Sequence, residues 1–119
     1  MIRIISGSHR GRRISAPKKL PVRPTTDRAK EALFSILNHR IAWDDARVLD
    51  LYAGTGNLSY ECASRGCPDV TAVDAHPGCT AFIRQTAATL NLPIRAFRQD
   101  AMAYLQKDRS SYDLVLADP

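Results

Sequence analysis

The sequence predicts an α/β fold, a parallel sheet of about four strands flanked by helices and preceded by a β-hairpin and one helix. Three observations carry this expectation. From Ala46 onward, short apolar strand-like runs alternate with helical patterns, which implies right-handed crossovers. A Gly54-Thr55-Gly56 turn follows the first of these runs. The chain has 119 residues, 45% hydrophobic and 24% charged, so a single core and a single sheet are within its reach.

Taken in order, Ile2 to Ser6 and Arg12 to Ser15 are β-prone runs on either side of Gly7-Ser8-His9-Arg10-Gly11. They read as a hairpin with arginines at its tip. Pro17, Pro21 and Pro24 make residues 16–24 an extended connector. Thr25, Thr26 and Asp27 offer helix N-caps, after which Ala29, Ala32, Leu33, Ile36 and Leu37 recur at helical spacing as the expected apolar face. Val48 to Leu51 is a buried-type strand running into the glycine turn, and residues 57–65 suit a helix ended by Gly66 and Pro68. Strand 70–74, helix 77–90, strand 94–98, a short helix 101–106 and strand 112–117 complete the alternation. The expected division is a basic hairpin and connector over 1–24 and an α/β domain over 25–119.

Composition narrows the function classes. No run approaches the roughly 18 apolar residues of a membrane span, and Met1-Ile2-Arg3-Ile4-Ile5 places a charge too early for a signal peptide. Cys62, Cys67 and Cys79 then read as reduced thiols, and a cytoplasmic location with no membrane partner is expected. Cys62 and Cys67 lack a second ligand pair, and His9, His39 and His76 stand alone, so no metal site is assigned. Trp43 is expected to pack at the entrance to the core. The net charge of +5 is unevenly spread. Residues 1–30 hold nine Lys and Arg against Asp27 alone, a net +8, whereas residues 31–119 sum to −3. A block at +8 attracts polyanions, and Arg3, Arg10, Arg12 and Arg13 are its candidate RNA contacts.

In an open α/β sheet, ligands bind beyond the carboxyl ends of the strands. Asp50, Asp74, Asp100 and Asp118 stand at four successive strand exits. One such aspartate is equally a turn or cap residue; four together describe a ligand slot. Position 59, where a dinucleotide fingerprint wants a third small glycine-like residue, is Ser59. Asp50 beside the glycines would repel a pyrophosphate but suits an ammonium. Asp74 is spaced to accept ribose hydroxyls, and Asp100 could accept from an adenine amino group. The ligand with a cationic amino-acid end, a ribose, an adenine and no phosphate is S-adenosylmethionine. Its expected contacts are Asp50, Ala53, Gly54, Thr55, Gly56, Asp74 and Asp100.

Asp50-Leu51-Tyr52-Ala53-Gly54-Thr55-Gly56 resembles the first cofactor motif of the Rossmann-like class I S-adenosylmethionine-dependent methyltransferases. Arg3-Ile4-Ile5-Ser6-Gly7, Arg10-Gly11-Arg12, Arg23-Pro24-Thr25-Thr26-Asp27-Arg28, Lys30-Glu31-Ala32-Leu33-Phe34 and Ser64-Arg65-Gly66 are narrower. Together they resemble the bacterial RsmD-like family that methylates guanine N2 in 16S ribosomal RNA. The resemblance implies a cytoplasmic enzyme of rRNA processing. Ribosomal RNA or the small ribosomal subunit would be its partner, S-adenosylhomocysteine its product, and no metal would be needed. It also implies that Asp118 and the Pro119 carbonyl accept hydrogen bonds from the reacting amine. The family's motif continues with a further proline and an aromatic, whereas this sequence stops at Asp118-Pro119.

The expectation is therefore the N-terminal part of such an enzyme, inactive by itself. It would be prone to self-association through the apolar edge of strand 112–117, patterned for burial on both faces. Two other readings are an adenine-N6 DNA methyltransferase, which shares the catalytic motif type, and a non-catalytic fragment that binds cofactor or RNA.

Overall fold

A computed structural model describes residues 1–22 and 25–119 of the chain. Arg23 and Pro24, at the end of the expected connector and the start of the Arg-Pro-Thr-Thr-Asp-Arg block, lie outside the described residues. The hairpin is β1 (Ile2–Arg3) paired antiparallel with β2 (Arg13–Ile14). Ile4 prolongs it, its N–H donating to the Arg12 carbonyl and its carbonyl accepting from Gly11 N–H. The ladder is shorter than the β-prone runs because the Ile5 and Ser6 N–H groups donate to the Glu61 carboxylate instead.

α1 (Asp27–Leu37) starts at Thr26, whose hydroxyl accepts from Ala29 N–H. Its buried face is not the expected one. Lys30, Phe34 and Leu37 are buried, with Leu33 packed beside them, while Ala29, Ala32 and Ile36 face outward. Lys30 takes the first place on the i, i+4, i+7 stripe because a buried carboxylate waits there. Trp43 lies in a short 3-10 turn (Trp43–Asp45), 5.7 Å from the Phe34 ring, and donates its indole N–H to Asn38 Oδ1.

The sheet comprises β3 (Arg47–Leu51), β4 (Asp69–Asp74), β5 (Ile94–Arg98) and β6 (Leu114–Ala117), all parallel, in the order β5-β4-β3-β6. α2 (Asn57–Ser64) and α3 (Pro77–Leu90) are the crossovers between β3, β4 and β5; α4 (Ala101–Lys107) leads from β5 to β6. One face, carrying Val48, Val70, Ala72, Ala96 and Leu116, packs with α1, α2, α3 and the hairpin isoleucines in one apolar cluster. On the other face Leu49, Leu51 and Val73 form a smaller cluster with Ala101 of α4. The last strand is two residues shorter than expected. Asp113 leaves the ladder pattern to accept Arg47 N–H on its carboxylate, and Tyr112 donates its hydroxyl to Asp108. Its expected burial on both faces is also not met, since Val115 is 49% exposed.

Candidate functional site

Tyr52, Gly54 and Gly56 all take positive φ, at +56°, +60° and +93°. A non-glycine residue rarely adopts that conformation, so the Tyr52 turn stores strain that the surrounding bonds must hold. Ala53 N–H donates to the Val73 carbonyl, Gly54 N–H to Asp74 Oδ2 and Gly56 N–H to the Ala53 carbonyl. Glycine is demanded twice over at position 56. A Cβ there would lie 2.7 Å from Tyr60 Cζ in a left-handed conformation. Gly56 is also the N-cap of α2 and supplies no side chain, so the first turn of α2 is left without a side-chain cap beside the loop.

Beyond the carboxyl ends of β3, β4 and β6 opens a cleft of about 800 Å³. One wall is the glycine loop with Asp50, Asp74 and Asp118; the other is the connector from Ala16 to Val22 with Thr25 and Thr26. Leu20 is buried and reaches over Gly78 at the start of α3, and Val22 lies against Gly54. The connector thus closes one side of the cleft.

The three carboxylates differ in environment. Asp50 is 2% exposed and accepts a 2.7 Å hydrogen bond from the Ser59 hydroxyl. Burial pushes its carboxyl up to about 7; the Ser59 hydrogen bonds oppose this, and the nearby Asp118 and Asp74 charges add to it. Asp74 is half-buried and accepts one backbone N–H on each oxygen, Gly54 on Oδ2 and His76 on Oδ1. Each oxygen keeps lone-pair capacity for a further donor. Asp118 and Pro119 are exposed on the cleft rim. Ala53, Gly54 and Thr55 line the cleft with these acids, whereas Gly56 sits behind it. Asp100 stands apart: exposed, it caps α4 by accepting from Ala103 N–H and does not line the cleft.

The candidate RNA residues are distributed along the helical face. α2 and α3 run back from the cleft, so their C-termini lie at the opposite end of the sheet. The hairpin tip docks there. Ser8 N–H donates to the Ser64 carbonyl, His9 N–H to Ser64 Oγ, and the His9 ring bonds the Leu90 carbonyl at 2.6 Å. A Cβ at Gly7 would fall 1.9 Å from the Ser64 carbonyl oxygen. The 14 residues of α3 rise about 21 Å, which sets the scale of the separation between tip and cleft. Arg10, Arg12 and Arg13 are exposed on the hairpin, while Arg3 pairs with Asp27 at 3.0 Å.

Sequence reasoning misses the network beneath the hairpin. Lys30 Nζ, fully buried, donates to the Arg3 carbonyl at 2.6 Å and to Asn57 Oδ1 at 2.7 Å, and pairs with Glu61 at 3.3 Å. Glu61, equally buried, also accepts from Arg65 Nε, whose guanidinium lies over the Phe34 ring. One member of the +8 block is therefore internal. A signal for it exists: Lys30 shares a stripe with Phe34 and Leu37, and Glu61 sits in a helix of otherwise neutral residues. In the sequence Ser59 stands out only as a missing glycine, not as the partner of Asp50.

Cys62, Cys67 and Cys79 are free and buried, and among the described residues no three His, Cys, Asp or Glu gather as a metal site. Among the described residues no helix is long and apolar enough to cross a membrane.

A family model described as conserved hypothetical protein 95 matches residues 2–119. Ribosomal RNA small subunit methyltransferase D of Escherichia coli K12 is 35% identical over 119 residues, covering 99% of this chain and 59% of that protein. A putative rRNA methyltransferase, YlbH, of Bacillus subtilis is 34% identical, with 99% of this chain and 66% of that protein covered. In structure, a putative methyltransferase, yhhF, from Escherichia coli superposes with a TM-score of 0.88 at 33% identity, over 99% of this chain and 63% of that one. The chain thus spans about three-fifths of the length of its Escherichia coli relative. The sheet order and crossovers are those of the Rossmann-like class I methyltransferases.

Proposed function

We propose, from the premise that this chain belongs to the conserved hypothetical protein 95 family, that it forms the cofactor-binding part of a cytoplasmic rRNA methyltransferase. The reaction is transfer of a methyl group from S-adenosylmethionine to the exocyclic N2 of a guanine in small-subunit ribosomal RNA. The observation that carries this reading is the meeting of Asp50, Asp74 and Asp118 with the glycine loop on one cleft.

The residues present fit the cofactor. The buried Asp50 carboxylate, held by Ser59, suits a cationic amino-acid end, and Asp74 and Asp118 on the same cleft disfavour a phosphate beside it. Asp74 holds the loop through Gly54 N–H and keeps lone pairs for ribose hydroxyls. Gly54 lets the backbone face the cleft without a side chain. Asp100, at the exit of β5 one strand beyond the cleft lining, is the proposed acceptor for an adenine amino group that extends past Asp74 over the strand ends. When bound, S-adenosylmethionine supplies a methyl group already activated by its sulfonium, so no metal is required.

The chain's own contribution is alignment and exclusion of water. The guanine amine is a weak nucleophile because its lone pair is delocalised into the ring. Asp118 Oδ and the Pro119 carbonyl accept its two N–H groups, which turns the lone pair toward the methyl. Asp118, exposed on the cleft rim, would take one of those protons from the methylated nitrogen and pass it to solvent, with S-adenosylhomocysteine as the other product. The connector wall from Ala16 to Val22 keeps solvent off that side of the cleft. The exposed arginines of the hairpin bind phosphates and set the substrate's position without reading bases.

Calorimetry with S-adenosylhomocysteine tests the slot. Asp74→Ala is expected to lose most of the binding and Asp100→Ala less. Parental affinity in Asp74→Ala would overturn the assignment.

A further inference from the structure

We propose that the groove between α3 and the outer strand β5 is a second binding surface for the RNA strand, continuing from the hairpin tip. The inference rests on the RNA-directed reading above and extends it to residues outside the basic N-terminus. The groove encloses about 540 Å³, with Arg84, Asn91, Arg95 and Phe97 among its lining residues.

Charge is the first argument. Residues 75–99 contain Arg84, Arg95 and Arg98 and no Asp or Glu, within a domain that otherwise sums to negative charge. Two acids of β4 face them: Asp69, which pairs with Arg95 at 3.0 Å and simultaneously with Arg47 at 2.8 Å, and Asp74, opposite Arg98 in register and already bound by the Gly54 and His76 amides. One carboxylate shared by two guanidinium groups leaves the flank positive. The Arg95 side chain remains 59% exposed despite that pair.

Geometry is the second argument. Arg84 directs Nε and Nη2 to the Ala96 carbonyl, at 3.0 and 2.7 Å, which fixes its guanidinium against the sheet edge. Two of its five N–H groups are thereby used and three remain for an anion. The same bonds occupy the central carbonyl of β5, so an added protein strand would find that acceptor taken. Phe97 is 39% exposed, between Arg95 and Arg98 in sequence. Its ring stacks at 6.1 Å on Tyr104, which gives it a firm backing. An exposed aromatic that shares its face of β5 with Arg95 is a stacking platform for an unpaired base where a strand turns over the sheet edge from Arg84.

Continuity is the third. The His9 bond to the Leu90 carbonyl places the hairpin tip beside Asn91, at the end of the groove. From there the groove follows β5 toward the carboxyl end of the sheet, where the cleft lies. An RNA strand held at the tip is thus offered arginines along the whole flank.

The test is an anisotropy titration of a mixed-sequence single-stranded oligoribonucleotide at several salt concentrations. Arg84→Gln/Arg95→Gln should flatten the salt dependence by about 1.4 in log–log slope, since each phosphate of a single strand left without its arginine removes about 0.7. Arg95→Gln/Arg98→Gln leaves the Arg84 bond to the edge intact and should flatten it by a similar amount. Unchanged S-adenosylhomocysteine binding in both would show that the fold is kept. If the hairpin variant Arg10→Ala/Arg12→Ala/Arg13→Ala lowers the slope and both groove variants retain it, the groove proposal fails while the RNA reading stands. If the parent chain binds no RNA at any salt concentration, the RNA reading fails and the groove with it. Light scattering that shows the groove variants losing self-association, with RNA binding intact, would assign the edge to another copy and overturn the proposal.

Discussion

Asp50 sits among apolar strand residues with one hydroxyl for company, and its carboxyl is held at about 7 against 3.8 for the free group. Below the unfolded value both states are protonated and Asp50 contributes fully to stability. As pH rises through about 7 that contribution is lost, because the folded site resists the charge that the unfolded chain accepts. Asp50→Asn should therefore flatten the stability profile between about pH 4 and 8 and raise stability at the upper end, as read by urea denaturation. A cationic ligand reverses the preference by favouring the ionised form. Affinity for S-adenosylhomocysteine is expected to climb from about pH 6 to 8 in the parent and to stay flat in Asp50→Asn, measured by calorimetry. Tyr60 is a second buried polar residue beneath the glycine loop, and its hydroxyl lies near Thr86 without a hydrogen bond of normal geometry among the described residues. Tyr60→Phe keeps the ring under Gly56 and removes an unsatisfied group. A gain of about 1 kcal/mol is expected in thermal denaturation; a loss would reveal a partner for the hydroxyl.

The hairpin and α1 are joined to α2 by charge rather than by apolar contact alone. Glu61 accepts from Lys30, Arg65 and the Ile5 and Ser6 amides, so its removal strands two cations and two amides at once. Lys30 is bound to Glu61, the Arg3 carbonyl and Asn57; without it Glu61 keeps Arg65 and both amides. Glu61→Ala is thus expected to cost about 3–5 kcal/mol and Lys30→Met distinctly less, by urea denaturation. Equal losses would mean that the pair, not the carboxylate hub, carries the attachment. The same network touches Asn57 at the start of α2, which links the seating of the hairpin to the glycine loop.

At the scale of the molecule, the two faces of the sheet are covered unequally. The hairpin and α1 to α3 shield one face, while α4 alone packs on the other among the described residues. β6 pairs with β3 and forms the edge of the sheet, and Val115 is 49% exposed on the thinly covered face. An edge with unpaired backbone groups beside an apolar face favours association between chains. A polypeptide of these 119 residues is expected to scatter light as more than a monomer, and Val115→Lys to lower that signal. A monodisperse parent would contradict the expectation.

The strand–helix alternation from Arg47 onward is legible in the sequence because each element there obeys its own period and is punctuated by Gly66, Pro68 and Pro77. The glycine turn and the strand-exit aspartates are legible for the same local reason. The buried face of α1 is not: a helical pattern marks spacing, but which residue is internal depends on what lies opposite, and opposite Lys30 lies Glu61 from another helix. The short ladders of the hairpin and of β6 have the same origin, since Glu61 and Asp113 capture backbone groups that the strand pattern would give to a neighbour. Position in the fold separates Asp100 from its three counterparts, because β5 is the outer strand and its exit lies one strand beyond the cleft lining. By itself, then, the sequence determined the elements, their order and the acidic character of the strand ends. Only the tertiary structure decided which acids share a cleft, which lysine is internal, and that the arginine tip lies at the far end from the glycine loop. Periodicity and turn chemistry act between neighbours in the chain, whereas burial and charge pairing act between residues that only folding brings together.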